Sequence, residues 1–98
     1  MRLGGVRAFH VAGDGVVARG LGTLLEARRC EVFSAGGAGV RVADGAAAQV
    51  EDCRVFHNGG AGLAVGPDCS GSAARNEVFG NGAGQLVVEA PERRFLVT

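Results

Sequence analysis

The chain contains no tryptophan and no tyrosine, and only two prolines and three cysteines in its 98 residues. Each scarcity excludes something. With so little proline and no strict three-residue period, the 18 glycines belong neither to a collagen nor to a polyproline helix, so they must serve turns. The cysteines are odd in number, and Cys30, Cys53 and Cys69 show neither C-x-x-C nor Cys/His metal spacing. Reduced structural thiols are therefore expected, rather than a disulfide framework or a zinc site. An excess of one charge sign is also lacking. Ten basic residues face ten acidic ones without blocks of either, which excludes the electrostatic footprint of a nucleic-acid or anionic-membrane binder. No apolar run approaches the ~20 residues that span a bilayer, and Met1-Arg2-Leu3-Gly4-Gly5 does not begin a signal peptide. The expectation is an intracellular, cytoplasmic chain with no membrane partner. At this length it forms at most one small domain with a modest core, residues 1–98, and something beyond a two-layer core must stabilise it.

What the chain does have is a repeat. Phe33, Phe56 and Phe79 are spaced by 23 residues, and Phe9 precedes Phe33 by 24. The same step relates Val32, Val55 and Val78, then Val40, Leu63 and Leu86, then Val42, Val65 and Val88, then Cys30, Cys53 and Asn76. Copies begin near residues 6, 30, 53 and 76, and the one extra residue of the first falls within Arg19 to Leu24. Inside each copy apolar residues alternate, as Val40 and Val42 or Leu63 and Val65 do, and a period of two means strand. Gly-Gly, Asn-Gly, Asp-Gly and Gly-Pro-Asp clusters separate the strands and supply corners. Leucine is too scarce for a leucine-rich repeat, and no long segment has helical periodicity. The pattern predicts an all-β fold, a single-stranded right-handed parallel β-helix of about four coils of 23 residues.

In such a solenoid, columns of the sequence become ladders at the ~4.8 Å spacing of neighbouring strands. Two columns test this. Arg7, Glu31, Arg54 and Glu77 alternate in sign, and so do Arg29, Asp52 and Arg75, as in-register stacking favours. The inward ladders are expected to be Ala8/Val32/Val55/Val78, Val16/Val40/Leu63/Leu86, Ala18/Val42/Val65/Val88 and Ala27/Val50/Ala73, with Cys30, Cys53 and Asn76 in the same interior. The phenylalanine column has two readings. Continued alternation would turn Phe9, Phe33, Phe56 and Phe79 outward as a surface for a sugar ring or a protein. A bend would place them in a corner of the core, the favoured expectation because an exposed aromatic stripe is an aggregation liability.

The frames C-R-V-F-H-N-G-G-A-G-L-A-V from Cys53 and N-E-V-F-G-N from Asn76 resemble coils of the pectate-lyase-like right-handed β-helix superfamily. More narrowly, they resemble the β-helix regions of F-box adaptor and Shc-binding spindle proteins, whose coils read N-x-I-F-x-N-x-x-x-G-[IV]-x-[IV]. The resemblance covers roughly residues 6 to 90. It departs at Cys30 and Cys53, where the pattern has Asn, and at the absence of a preceding F-box-like helical segment. It implies the fold and leaves the function open, because the superfamily includes lyases, hydrolases, adhesins and adaptors.

Polysaccharide-cleaving members of that superfamily carry acids on the outward face of the first strand of each coil. Here those positions are Val17, Arg41, Ala64 and Val87, and none is a carboxylate, so neither a glycosidase pair nor a calcium site is expected there. Asp44 and Asp68 read as turn residues. His10 and His57 occupy equivalent positions two coils apart, about 9.6 Å, too far to share one metal. Cys69 has no base beside it in sequence. No catalytic residue, cofactor or metal is expected, and the chain reads as a non-enzyme. The function expected is protein–protein interaction through the row Val17, Arg41, Ala64 and Val87, in a fragment of a larger solenoid. Carbohydrate binding or cleavage is the alternative, with a glycan as possible ligand. Since a solenoid has two raw edges, end-to-end self-association is also expected to be open to it. Residues 91–98 either begin a further coil or form a terminal tail across the open end.

Overall fold

The computed structural model describes residues 2–5, 7–9, 12–90 and 94–98, with the backbone alone at 2, 3 and 9. A first coil runs through β1 (Arg2–Gly4), β2 (Arg7–Phe9) and β3 (Val16–Arg19). The second is β4 (Leu24–Arg28), β5 (Glu31–Phe33) and β6 (Val40–Ala43). The third is β7 (Ala47–Glu51), β8 (Arg54–Phe56) and β9 (Leu63–Val65). The fourth is β10 (Ser70–Ala74), β11 (Glu77–Phe79) and β12 (Leu86–Val88), and β13 (Phe95–Val97) opens another. Like strands stack into three parallel sheets: β1-β4-β7-β10-β13, β2-β5-β8-β11 and β3-β6-β9-β12. The chain is a β-solenoid.

Registers agree with the columns read from sequence. Val32 pairs with Val55 and Val55 with Val78, while Val40 pairs with Leu63 and Leu63 with Leu86. The offset is 24 at Arg19↔Ala43 and 23 at Leu24↔Ala47, so the extra residue lies in the turn between. There Gly20 and Gly22 take positive φ, and the Thr23 hydroxyl donates to the Arg19 carbonyl at 2.8 Å. β13 continues the first sheet, Val97 standing below Ala73. Phe95, 1% exposed, packs into the core beside it. The final segment thus begins a coil, of which the part at Pro91 lies outside the described residues.

The core is a narrow column of Val, Ala, Leu and Cys side chains, small because three short sheets enclose little volume. One sequence expectation fails at its end. Leu86 is in register with buried Leu63 yet 44% exposed, because no further described strand covers the outer edge of β12. It lines, with Val78, Val97 and Asn76, a cavity of about 180 Å³ that opens at this end.

One set of corners differs from expectation in residue type. Glycine was to supply the positive φ, but the bend before the cysteine column is turned by Arg29, Asp52 and Arg75 at φ 52–55°. Hydrogen bonds to the next coil, from the Arg29 amide to the Glu51 carbonyl and from the Asp52 amide to the Ala74 carbonyl, both 3.1 Å, hold that unfavourable region in place.

Candidate interaction surface

The sheet β3-β6-β9-β12 presents the row Val17, Arg41, Ala64 and Val87, which the pairing sets side by side. Alternation directs Ala18, Val42 and Val65 inward, all buried, and leaves this row on the outer face. Glycine sets the approach to three of these strands, β3, β6 and β9. A Cβ at Gly15, Gly39 or Gly62 would collide with Cγ1 of Val32, Val55 or Val78, and would lie 2.8, 2.9 and 2.7 Å from the carbonyl oxygens of Gly39, Gly62 and Gln85. Only a residue without a side chain lets the strand enter over the neighbouring coil.

Val17 and Val87 are 37% and 40% exposed, and Arg41 and Ala64 are half-buried. Arg41 is the one charge in the row, and it is engaged: its Nε donates to Asp14 Oδ2 at 2.8 Å, while Asp14 Oδ1 accepts from the Ala38 amide at 2.8 Å. Burial raises the Asp14 carboxyl, but the Arg41 hydrogen bond, the Ala38 amide and the charges of Arg41 and Arg19 together hold it below its ordinary value. Sequence reading missed Asp14. The signal was its place 24 residues before Ala38, above a backbone amide that needs an acceptor. Leu21, 90% exposed, and Leu24, 40% exposed, add aliphatic surface at and after the turn that follows Val17.

The phenylalanines are not in the core, as had been expected. Val32 and Val55 point in, and Phe33, Phe56 and Phe79 share the outer face with Glu31, Arg54 and Glu77. The bend comes one residue later, at Ser34 and His57, with φ 57° and 54°, so alternation persists through the ring position. The rings stack on one another, centroids 5.0 and 5.1 Å apart and planes within 8° and 4°, with Arg54 5.2 Å from the Phe56 centroid. Stacking covers the faces of Phe56 and leaves ring edges toward solvent, which moderates the aggregation hazard. The side chain of Phe9 lies outside the described residues.

The charge ladder stands beside the rings. Arg7 Nε is 3.0 Å from Glu31, Arg54 Nη1 is 3.2 Å from Glu31, and Arg54 Nε is 3.6 Å from Glu77. The second ladder forms at one step, Arg75 Nε to Asp52 at 2.9 Å. Among the described residues the preceding step is made by Arg28 with Glu51, 3.7 Å, rather than by Arg29. The hydrogen bond from Arg75, and its charge, hold the Asp52 carboxyl below its ordinary value.

A buried amide ladder was not foreseen as such, although H-N-G-G and G-N-G recur at the repeat spacing. Asn58, 3% exposed, accepts from the Ala35 amide at 3.0 Å and donates to the Val32 carbonyl at 3.4 Å and to Asn81 Oδ1 at 2.8 Å. Asn81 donates to the Val55 carbonyl and to Gln85 Oε1, which closes the ladder. Asn76, half-buried, makes the same pattern in the cysteine column: it accepts from the Cys53 amide and donates to the Val50 carbonyl, both at 2.9 Å. Cys53 imitates it. Its sulfur accepts from the Cys30 amide at 3.5 Å and donates toward the Ala27 carbonyl at 3.6 Å and the Glu51 carbonyl at 3.2 Å. Burial pushes the Cys53 thiol up, so it keeps the proton that this donation needs. No disulfide joins Cys30, Cys53 and Cys69, and all three are buried.

Asp44 and Asp68 are exposed in turns, Asp44 at φ 55°. The Cys69 sulfur meets an Asp68 oxygen only at 4.0 Å. His57 lies edge-on to Phe56 and Phe79, and His10 lies outside the described residues. Among the described residues no three His, Cys, Asp or Glu side chains converge as metal ligands. A family model described as "Right handed beta helix region" matches residues 6–92. No curated protein and no solved structure matches the chain.

Proposed function

The chain belongs to the right-handed β-helix family, and from that premise we propose that it is a non-catalytic repeat module that binds a protein partner through the outer face at Val17, Arg41, Ala64 and Val87. The observation that carries this reading is chemical. The row is aliphatic apart from Arg41, whose charge is already bound to Asp14, so its complement is an apolar protein surface rather than a polyanion or an acid-cleaved polymer. The adaptor-like coils that the sequence resembles point the same way. The carbohydrate alternative draws on the exposed edges of Phe33, Phe56 and Phe79, but a sugar ring docks on an aromatic face, and both faces of Phe56 are taken by its neighbours.

Ala64→Glu is the direct variant, because it sits mid-row, in register with Arg41, and sets a charge in the middle of the aliphatic surface. Affinity capture with quantitative mass spectrometry should show a set of proteins retained by the wild-type chain and lost with Ala64→Glu at equal thermal stability. Equal recovery on both baits removes this face from consideration. Binding on a glycan array that Ala64→Glu does not alter would transfer support to the carbohydrate reading.

A further inference from the structure

The two ends of the solenoid are complementary to each other. At one end β2 and β3 are edge strands, and at the other β11 and β12 are. Their outer edges carry backbone donors and acceptors in the register of a parallel ladder, which another parallel strand satisfies. Apolar side chains meet apolar ones along this match: Val87, 40% exposed, ends the row that Val17, 37% exposed, begins, and exposed Leu86 ends the column that half-buried Val16 begins. The charge ladder ends on Glu77 and begins on Arg7, which already binds Glu31. A copy placed below another extends the alternation by one step instead of opposing like charges.

We propose that the occupant of the open end is a second copy of this chain, stacked head to tail, with β11 pairing β2 and β12 pairing β3 of the next copy. In the remaining sheet β13 and β1 occupy equivalent places, since Val97 stands below Ala73 as Ala27 stands below Leu3. One strand therefore serves both copies: β13 seats on the next copy's β4 and replaces its β1. The contact is heterologous, and it propagates into a linear series instead of closing as a dimer. It shares Val17 and Val87 with the row that binds a partner, and sedimentation of the chain alone reads it separately from partner capture.

Sedimentation velocity of the full chain across a concentration series tests this, with Val17→Glu/Val87→Glu and Val17→Glu/Val87→Arg as variants. Both substituted positions lie on the outer face, and circular dichroism and thermal melting report whether each variant is folded. The wild type is expected to grow with concentration beyond a dimer, Val17→Glu/Val87→Glu to remain monomeric, and Val17→Glu/Val87→Arg to regain growth. A wild type that stays monomeric throughout, a closed dimer that never grows, or undiminished assembly of Val17→Glu/Val87→Glu overturns the proposal.

Discussion

At the residue scale, the most informative position is the cysteine column. Cys53 fills the role that Asn76 fills one coil later, sulfur in place of amide, with the same amide 23 residues back and the same carbonyl 26 back. Cys53→Asn is therefore expected to stay within about 1 kcal/mol of the wild type, since one set of neutral hydrogen bonds replaces another. Asn58 has no such substitute. Asn58→Ala leaves the Ala35 amide and the Val32 carbonyl without this partner in a buried place, and is expected to cost about 1–3 kcal/mol in urea unfolding. Asp14 sets a pH dependence of definite sign. Its folded carboxyl titrates below the ordinary value of 3.8, so its contribution is complete above that value and drains away as pH falls through the lower, folded value. Urea midpoints measured from about pH 5 to pH 3 should fall less steeply in Arg41→Gln than in the wild type. An equal slope would show that the pair does not stabilise the fold.

At the scale of the element, a strand of three or four residues is defined less by its own propensity than by what lies beside it. The strands beginning at Val16, Val40 and Leu63 each follow a glycine whose missing side chain makes room for the inward valine of the coil below. Gly39→Ala forces Val55 or the Gly62 carbonyl aside, and should destabilise by about 1–3 kcal/mol. Gly13→Ala is the control: a Cβ there meets nothing within 4 Å and its φ is not positive, so the thermal midpoint should barely move. The phenylalanine column shows the limit of element-level reading. Both an outward and an inward ring agree with the sequence pattern, and the choice depends on whether the chain turns before or after the ring. It turns after, at Ser34 and His57.

At the scale of the molecule, stacking repeats every interaction along an axis, so weak contacts are multiplied and errors of sign are too. Glu31 lies between Arg7 and Arg54. Glu31→Arg would align three like charges, with an expected loss of up to ~1 kcal/mol per step that shrinks as salt is added. A loss unaffected by salt would assign the effect to packing rather than to charge. Among the described residues β11 and β12 have a neighbour on one side only, and exposed Leu86 and Val97, whose register partners Leu63 and Ala73 are buried, mark the cost at that end.

Spacing along the chain was enough to set the period, the solenoid, the place of the extra residue in the first coil and nearly every column of the core, because in a repeat each contact is a property of spacing. The folded arrangement was needed to show which side of the wall the rings take, that Arg29, Asp52 and Arg75 turn a corner, that Asp14 holds Arg41, and that a thiol stands in for an amide. Those outcomes depend on where the chain bends between strands and on which backbone groups the bend leaves in need of a partner, and neither quantity has a period.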